Sequence, residues 1–303
     1  MTHDQHYSSP GAVEAAIKSA AQKAFAADRS LSTGEYVRLE YFRRFLSRVF
    51  SEANDSAWVL KGGTGVLARV GSARGTTDVD LFHRGHSLAS ALEDLRRLAA
   101  VDLGDFFRFE YVGYSEIAGG NQQTYTQGYR VSYDVYIGVK RKETLHVDLV
   151  VNVVMTDEAE VASPANALDL PKLQSNPYRL YPVVDQIADK VCATLTLYNG
   201  HPSSREKDLV DLVVLAVTQD VSATKLRRAL DSESAVRLLT LSTSFSVPAT
   251  WGRTYARLAK TVPVCEGFRT VADAMNLMSK FLDPVLTGAV SNETWSHSSR
   301  RWH

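Results

Sequence analysis

Cysteine is almost missing from this chain of 303 residues: Cys192 and Cys265 are the only two. Two thiols make no disulfide framework, so the fold has to rest on its own core, and the pattern reads as that of a reducing, cytosolic compartment. An excess of charge is missing too. Lys and Arg number 34, Asp and Glu number 34, and the formal net charge is zero. Overall charge therefore draws in no nucleic acid, and such a partner would have to meet a local basic patch. No apolar run approaches the roughly 20 residues that span a bilayer. Met1 to Pro10 is polar where a signal peptide has its apolar stretch. Internal repeats and low-complexity tracts are absent as well. What remains is ordinary apolar content over a length suited to about two domains, with enough chain to bury a core unaided.

Periodicity divides that length. Val13, Ile17, Ala20, Ala21, Ala24 and Phe25 recur at helical spacing, and so do Leu39, Phe42, Leu46, Val49 and Phe50. Trp58 to Leu60 reads as a short buried strand, Asp78 to Phe82 as a second, and Leu88, Leu92, Leu95 and Leu98 as a helix after it. Phe107 to Tyr114, Tyr129 to Ile137 and Thr144 to Val154 read as three more strands, with a turn signal at Gly119-Gly120-Asn121. Prolines 164, 171, 177 and 182 punctuate a linker or irregular crossing segment. From Val183 the pattern is helical almost to Leu286, with stripes Val184, Ile187, Val191, Leu195 and Leu209, Leu212, Val213, Ala216. Ser291 to His303 is polar and is expected to be a mobile tail. The fold class is α+β, a mixed-sheet domain followed by a helical one, and the cleft between them is the place to look for a site.

Three carboxylates stand out. Alternate side chains of a strand share a face, so Asp78 and Asp80 point together while Val79 and Leu81 turn to the core. Two carboxylates that close repel each other unless a cation lies between them. Hard oxygen ligands suit Mg2+, which takes one or two carboxylates plus substrate phosphates. Asp148, in the apolar strand Leu145 to Val151, also needs a partner or a cation. An isolated Asp-x-Asp is a weak signal, since an exposed edge strand can carry one, and Asp148 could equally pair with a basic neighbour. Upstream, Lys61-Gly62-Gly63-Thr64-Gly65 lies between a buried strand and Val66-Leu67-Ala68. Strand, glycine turn and helix make a phosphate-holding geometry, because the backbone can approach closely and helix N-terminal N–H groups face an anion. The spacing is not that of a Walker loop.

With these residues in view, the stretch from Leu60 to Phe82 resembles the first motif of the AbiEii-type nucleotidyltransferase toxins: Lys61, Gly62, Gly63, Thr64, then Arg74, Thr76, Asp78 and Asp80. Lys190 with Ala193-Thr194-Leu195 is similar to the family's Lys-x-x-Ala helix. Arg205, Lys207, Asp208 and Asp211 are similar to its Arg-x-Lys-Asp-x-x-Asp motif. Gly63 stands where many relatives have Ser. The resemblance implies a polymerase-beta-type nucleotidyltransferase domain over residues 1–160, a linker over 161–182, a helical domain over 183–290 and a tail over 291–303. It implies that Asp78, Asp80 and Asp148 are metal ligands for Mg2+, or Mn2+ in its place. Catalysis would fall to these three with Lys190 and Asp211, and nucleotide binding to Lys61, Gly62, Gly63, Thr64, Arg74, Lys190 and Asp208.

The resemblance further implies a toxin of a toxin–antitoxin system. It would transfer a nucleoside monophosphate from an NTP, by leaning a pyrimidine one, to the 3′ hydroxyl of tRNA, and a cognate antitoxin would restrain it. The alternatives are transfer to protein hydroxyls or to a small molecule, or an inactive RNA-binding module. The residues themselves set blander readings beside these. Lys190 could pair with Asp185 or Asp189, and Asp208 and Asp211, on one helix face, could cap and ion-pair a helix start. Arg38, Arg44 and Arg48, and later Lys225, Arg227, Arg228, Arg253, Arg257 and Lys260 with Trp251 and Tyr255, could hold an RNA backbone and stack a base, or be solvated helix faces. His146 and His201 are not at metal-ligand spacing, and Cys192 reads as a core residue.

Overall fold

The computed structural model describes residues 6–85, 87–117, 127–165 and 167–303; the turn expected at Gly119-Gly120-Asn121 lies outside them. Two helices lead in, α1 (Pro10–Ala27) and α2 (Thr33–Val49), each started by a serine. Ser9 accepts the Ala12 N–H, and Ser32 completes a capping box with Glu35. Then follow β1 (Trp58–Lys61), α3 (Gly62–Arg69), β2 (Val79–His83) and α4 (Leu88–Ala99). Three longer strands come next, β3 (Phe107–Ile117), β4 (Gly128–Ile137) and β5 (Lys140–Val150), and after them the short β6 (Glu160–Ala162) and β7 (Tyr178–Leu180).

These seven strands make one mixed sheet in the order β3-β4-β5-β2-β1-β7-β6. β2 runs parallel to β5 and antiparallel to β1. Alternation places Leu145, Val147 and Leu149 of β5 in the core beside Val79 and Leu81 of β2. Phe45 from α2 meets the rings of Phe109 and Tyr133 there, at 5.3 and 5.1 Å between centroids. α2 also buries charge. Arg44 pairs with Glu40, and Arg48 grips Asp105 at 2.6 Å, so both arginines are shut away from any RNA. Two expectations change. Asp78 stands before β2 rather than in it, and the segment read as a linker supplies β6 and β7, with Leu180 in register with Leu60. Strands of three residues carry too little alternation to show in a sequence rich in proline.

The second half holds α5 (Val183–Leu195), α6 (Glu206–Thr218), β8 (Val221–Ser222), α7 (Ala223–Val236), α8 (Arg253–Ala259), α9 (Val271–Thr287), β9 (Thr294–Ser296) and β10 (Arg301–Trp302). α6 is buried continuously from Asp208 to Ala216, since α5, α8 and α9 pack around it. The polar tail is not loose. β10, β9 and β8 form a small sheet, the Trp295 indole is fully buried and donates to the Ala216 carbonyl at 2.7 Å, and Trp302 stacks on Phe281. Two tryptophans among serines and arginines anchor this hairpin without any apolar run. Among the described residues no helix is long and apolar enough to cross a membrane.

Candidate active site

Register partners carry a line of charge across the middle of the sheet. Lys61 on β1 is opposite Asp80 on β2, Asp80 is opposite Asp148 on β5, and Asp148 is opposite Arg130 on β4. Adjacent strands lie about 4.8 Å apart, so one row reads cation, carboxylate, carboxylate, cation. Burial, and then the Asp148 charge, push the Asp80 carboxyl up to about 6. Burial likewise raises Asp148, although Arg130 works the other way. Asp148 Oδ1 is buried and, among the described residues, accepts no hydrogen bond, with Arg130 Nε at 3.7 Å. Arg130 spends its Nη2 on Asp78 Oδ1 instead.

The glycine turn sits against this row. Gly62 adopts φ +61°, and a Cβ there would lie 1.9 Å from Asp80 Oδ2. The aspartate and the turn fit together only because the side chain is missing. α3 starts at this point with no side-chain cap, which leaves its first N–H groups for other partners. The Thr64 hydroxyl donates to the Asp78 carbonyl at 2.7 Å and that of Thr76 to the same oxygen at 3.3 Å, tying the turn to the mouth of β2. A Cβ on Gly63 would come within 3.2 Å of Arg74 Nη2, so the guanidinium lies over the turn.

Arg74 opens a chain of ion pairs that runs into the helical half. Its Nη2 donates to Asp211 Oδ2 at 2.7 Å; the same oxygen takes Lys190 Nζ at 2.6 Å; Lys190 reaches Asp208 Oδ1 at 3.2 Å; and Arg205 holds Asp208 Oδ2. Lys190 is only 3% exposed. Burial opposes its charge, but Asp211 and Asp208 outweigh that and its pKa stands above the ordinary lysine value. Lys190 and Arg205 hold Asp208 well below the usual carboxylate range against its own burial. Lys61, Asp80 and Asp148 of the row, the glycine turn, and Arg74, Lys190, Asp208 and Arg205 of the network line one cleft of about 250 Å³. Among the described residues its walls carry six cationic side chains and four carboxylates, including the exposed Lys207 and the pair Asp189–Arg237, 2.5 Å apart.

A family model described as nucleotidyl transferase AbiEii toxin, Type IV TA system, matches residues 44–274. The chain belongs to this family. That makes it a nucleotidyltransferase toxin of a type IV toxin–antitoxin system, with an NTP as substrate and an antitoxin as partner. Among solved structures it is similar to JHP933 from Helicobacter pylori at 16% identity, covering 86% of this chain and 96% of that one with a TM-score of 0.46. It is also similar to MenT4, a nucleotidyltransferase toxin from Mycobacterium tuberculosis H37Rv, at 14% identity, covering 91% and 99% with a TM-score of 0.49. No curated protein matches.

In this AbiEii family member, Lys61, Gly62, Gly63, Arg74, Asp80, Asp148, Lys190 and Asp208 all line the cleft. Asp211 stands behind it, fully buried, and Thr64 serves the turn. The expected metal trio does not assemble. Among the described residues no three His, Cys, Asp or Glu side chains gather closely enough to hold a metal ion. Asp78 lies outside the pleat of β2 and is claimed by Arg130. The partners of Lys190 are Asp208 and Asp211 rather than Asp185 or Asp189. Asp185 caps the turn at Thr156, and Asp189 holds Arg237. Trp251 and Tyr255 are buried and bonded to the carbonyls of Ser203 and Phe268, so neither can stack a base. Arg38, Lys225 and Arg227 are paired with Glu143, Asp157 and Asp231, and Arg228 holds the Thr156 carbonyl. Arg130 and Arg237 escaped the sequence reading, because only strand register and helix packing bring them to the site.

Proposed function

We propose that the cleft transfers a nucleoside monophosphate from an NTP to the 3′ hydroxyl of tRNA, so that the modified tRNA can no longer be aminoacylated. One observation carries the reading. Asp80 and Asp148, side by side in register and costly to ionise, line the cleft where a glycine-opened helix begins. The orphaned Asp148 Oδ1 and the mutual repulsion of the pair suit a divalent cation such as Mg2+ or Mn2+, which needs only one or two carboxylates when phosphates complete its shell. Asp80 and Asp148 would hold that ion, and its presence would offset triphosphate charge and acidify the attacking hydroxyl.

The chain's own groups do the rest. Lys61, next to Asp80 in the row, and the first N–H groups of α3 offer charge and donors to phosphate oxygens. Arg74 Nε is buried without a hydrogen-bond partner, a donor left for a phosphate lying over Gly63. Lys190 has two of its three N–H donors on Asp211 and Asp208, which fix it in the cleft wall and leave one. Asp211 thereby positions Arg74 and Lys190 together. The excess of cations around the cleft, in a chain of zero net charge, supports an RNA acceptor. The test is incubation with each labelled NTP in turn, with Mg2+ and either intact tRNA or tRNA whose 3′ hydroxyl has been oxidised. Label on intact tRNA alone is expected. Equal labelling of oxidised tRNA, or label on protein, would overturn the acceptor; no transfer to any acceptor would overturn the active site.

A further inference from the structure

Arg130 ends the charged row at Asp148, where it would compete with a bound cation for that carboxylate. It stands on β4 opposite Asp148, with Nη2 bonded to Asp78 Oδ1 and Nε 3.7 Å from Asp148 Oδ1. Asp80 and Asp148 are register partners and Asp78 stands just before β2, so without Arg130 three neighbouring carboxylates would face one lysine of the row. A guanidinium bonded to Asp78 and close to Asp148 relieves that repulsion without any ion. The Arg130 side chain is 43% exposed, so it can leave along the surface without disturbing the core.

We infer that Arg130 is a positioning residue that competes with the cation for Asp148: it neutralises Asp78 and Asp148 in the free chain and has to yield Asp148 when a divalent ion binds. This rests on the proposed function, from which the ion is taken. Asp148 Oδ1 is the atom at issue. It is buried, accepts no hydrogen bond among the described residues, and faces Arg130 Nε at a distance too long for one. An arginine that served only to fasten β4 to β5 would satisfy this oxygen; one that stands in for an ion leaves it available. Asp148 then changes partner when metal and nucleotide arrive, and the free chain takes up metal less readily than its carboxylates alone would.

The competition has a sign that a fastening role does not. Mn2+ affinity in the absence of nucleotide is measured by electron paramagnetic resonance on the wild type, Arg130→Ala, Arg130→Gln and Asp80→Ala, with thermal melting alongside. Arg130→Ala and Arg130→Gln are expected to bind Mn2+ about tenfold more tightly, the size of one lost charge-assisted hydrogen bond, while melting at a lower temperature than the wild type. Asp80→Ala is expected to lose the site. Mn2+ binding that depends on Asp80 but is unchanged or weaker without Arg130 would overturn the competition and leave the proposed function standing. A wild type that binds no Mn2+ would overturn both. Should either Arg130 variant fail to fold, the Arg130 Nε–H resonance of the wild type, followed by NMR during Mg2+ titration, gives the same decision. A shift that saturates with the metal supports the exchange, and a resonance that never moves overturns it.

Discussion

Asp80 and Lys190 both sit in the cleft, yet replacing them should move stability in opposite directions. Asp80 is a half-buried carboxylate beside another, and its carboxyl is pushed up to about 6. A raised acid pKa means that the fold disfavours the ionised form. The penalty is absent below about pH 4, grows as pH rises through the window to about 6, and is complete above it. Asp80→Asn is therefore expected to abolish transfer and to raise the denaturant midpoint of the metal-free protein at pH 7, with the gain vanishing near pH 4. An Asn variant that turns over normally would remove Asp80 from the chemistry. Lys190 is the reverse case, a buried cation between Asp208 and Asp211. Lys190→Ala leaves two carboxylates without their shared counter-charge, and breaking a buried pair in this way costs about 3–5 kcal/mol. Urea unfolding should show that loss directly. A wild-type midpoint in Lys190→Ala would mean that Arg74 and Arg205 suffice, and that Lys190 serves the nucleotide alone.

At the scale of elements, the short strand–turn–helix unit of β1 and α3 is where local sequence and function meet. Gly62 and Gly288 both have positive φ, +61° and +75°, but a Cβ at Gly62 collides with Asp80 whereas one at Gly288 meets nothing within 4 Å. Alanine at either position carries the backbone strain of about 1 kcal/mol. Only Gly62→Ala should also displace the carboxylate, with a drop in transfer on the order of 100-fold, and parallel melting and labelling assays of the two variants separate the effects. This unit was legible in the sequence because strand, glycines and apolar helix follow one another directly. The β2–β5 pairing was half legible: alternation gave Asp80 its face and the apolar strand around Asp148 showed that this charge needs a partner, but their adjacency depends on a parallel register between residues 68 apart. Arg130 depended on one more such register. The hairpin of β9 and β10 was illegible, because two tryptophans packed on α9 leave no periodic trace. Polar composition was taken for exposure where Trp295 is fully buried.

Over the whole molecule, the buried path Arg74–Asp211–Lys190–Asp208–Arg205 ties the glycine turn to the helical half, so the two should respond to acid together. Asp208 sets the sign. Its folded pKa lies below the ordinary value, because Lys190 and Arg205 outweigh its burial. A depressed carboxylate contributes stability that is fully present above its unfolded pKa of about 4 and is lost as pH falls from there toward the folded pKa. Asp208→Asn keeps the shape and removes the charge. At pH 7 the variant should be less stable than the wild type, and the gap should narrow as pH is lowered from about 4 to 3, where the unfolded wild-type chain takes up a proton at this position while the folded one stays ionised. Because the path joins both halves, the loss should appear in a single transition, seen equally by Trp58 in the sheet and Trp295 in the helical half. Urea titrations at pH 7 and pH 3 on variants retaining one or other tryptophan make the measurement. A gap that stays constant with pH would show that Asp208 is not the group whose charge holds the halves together. Two separated transitions would show that the ion pairs dock two independently stable units rather than completing one.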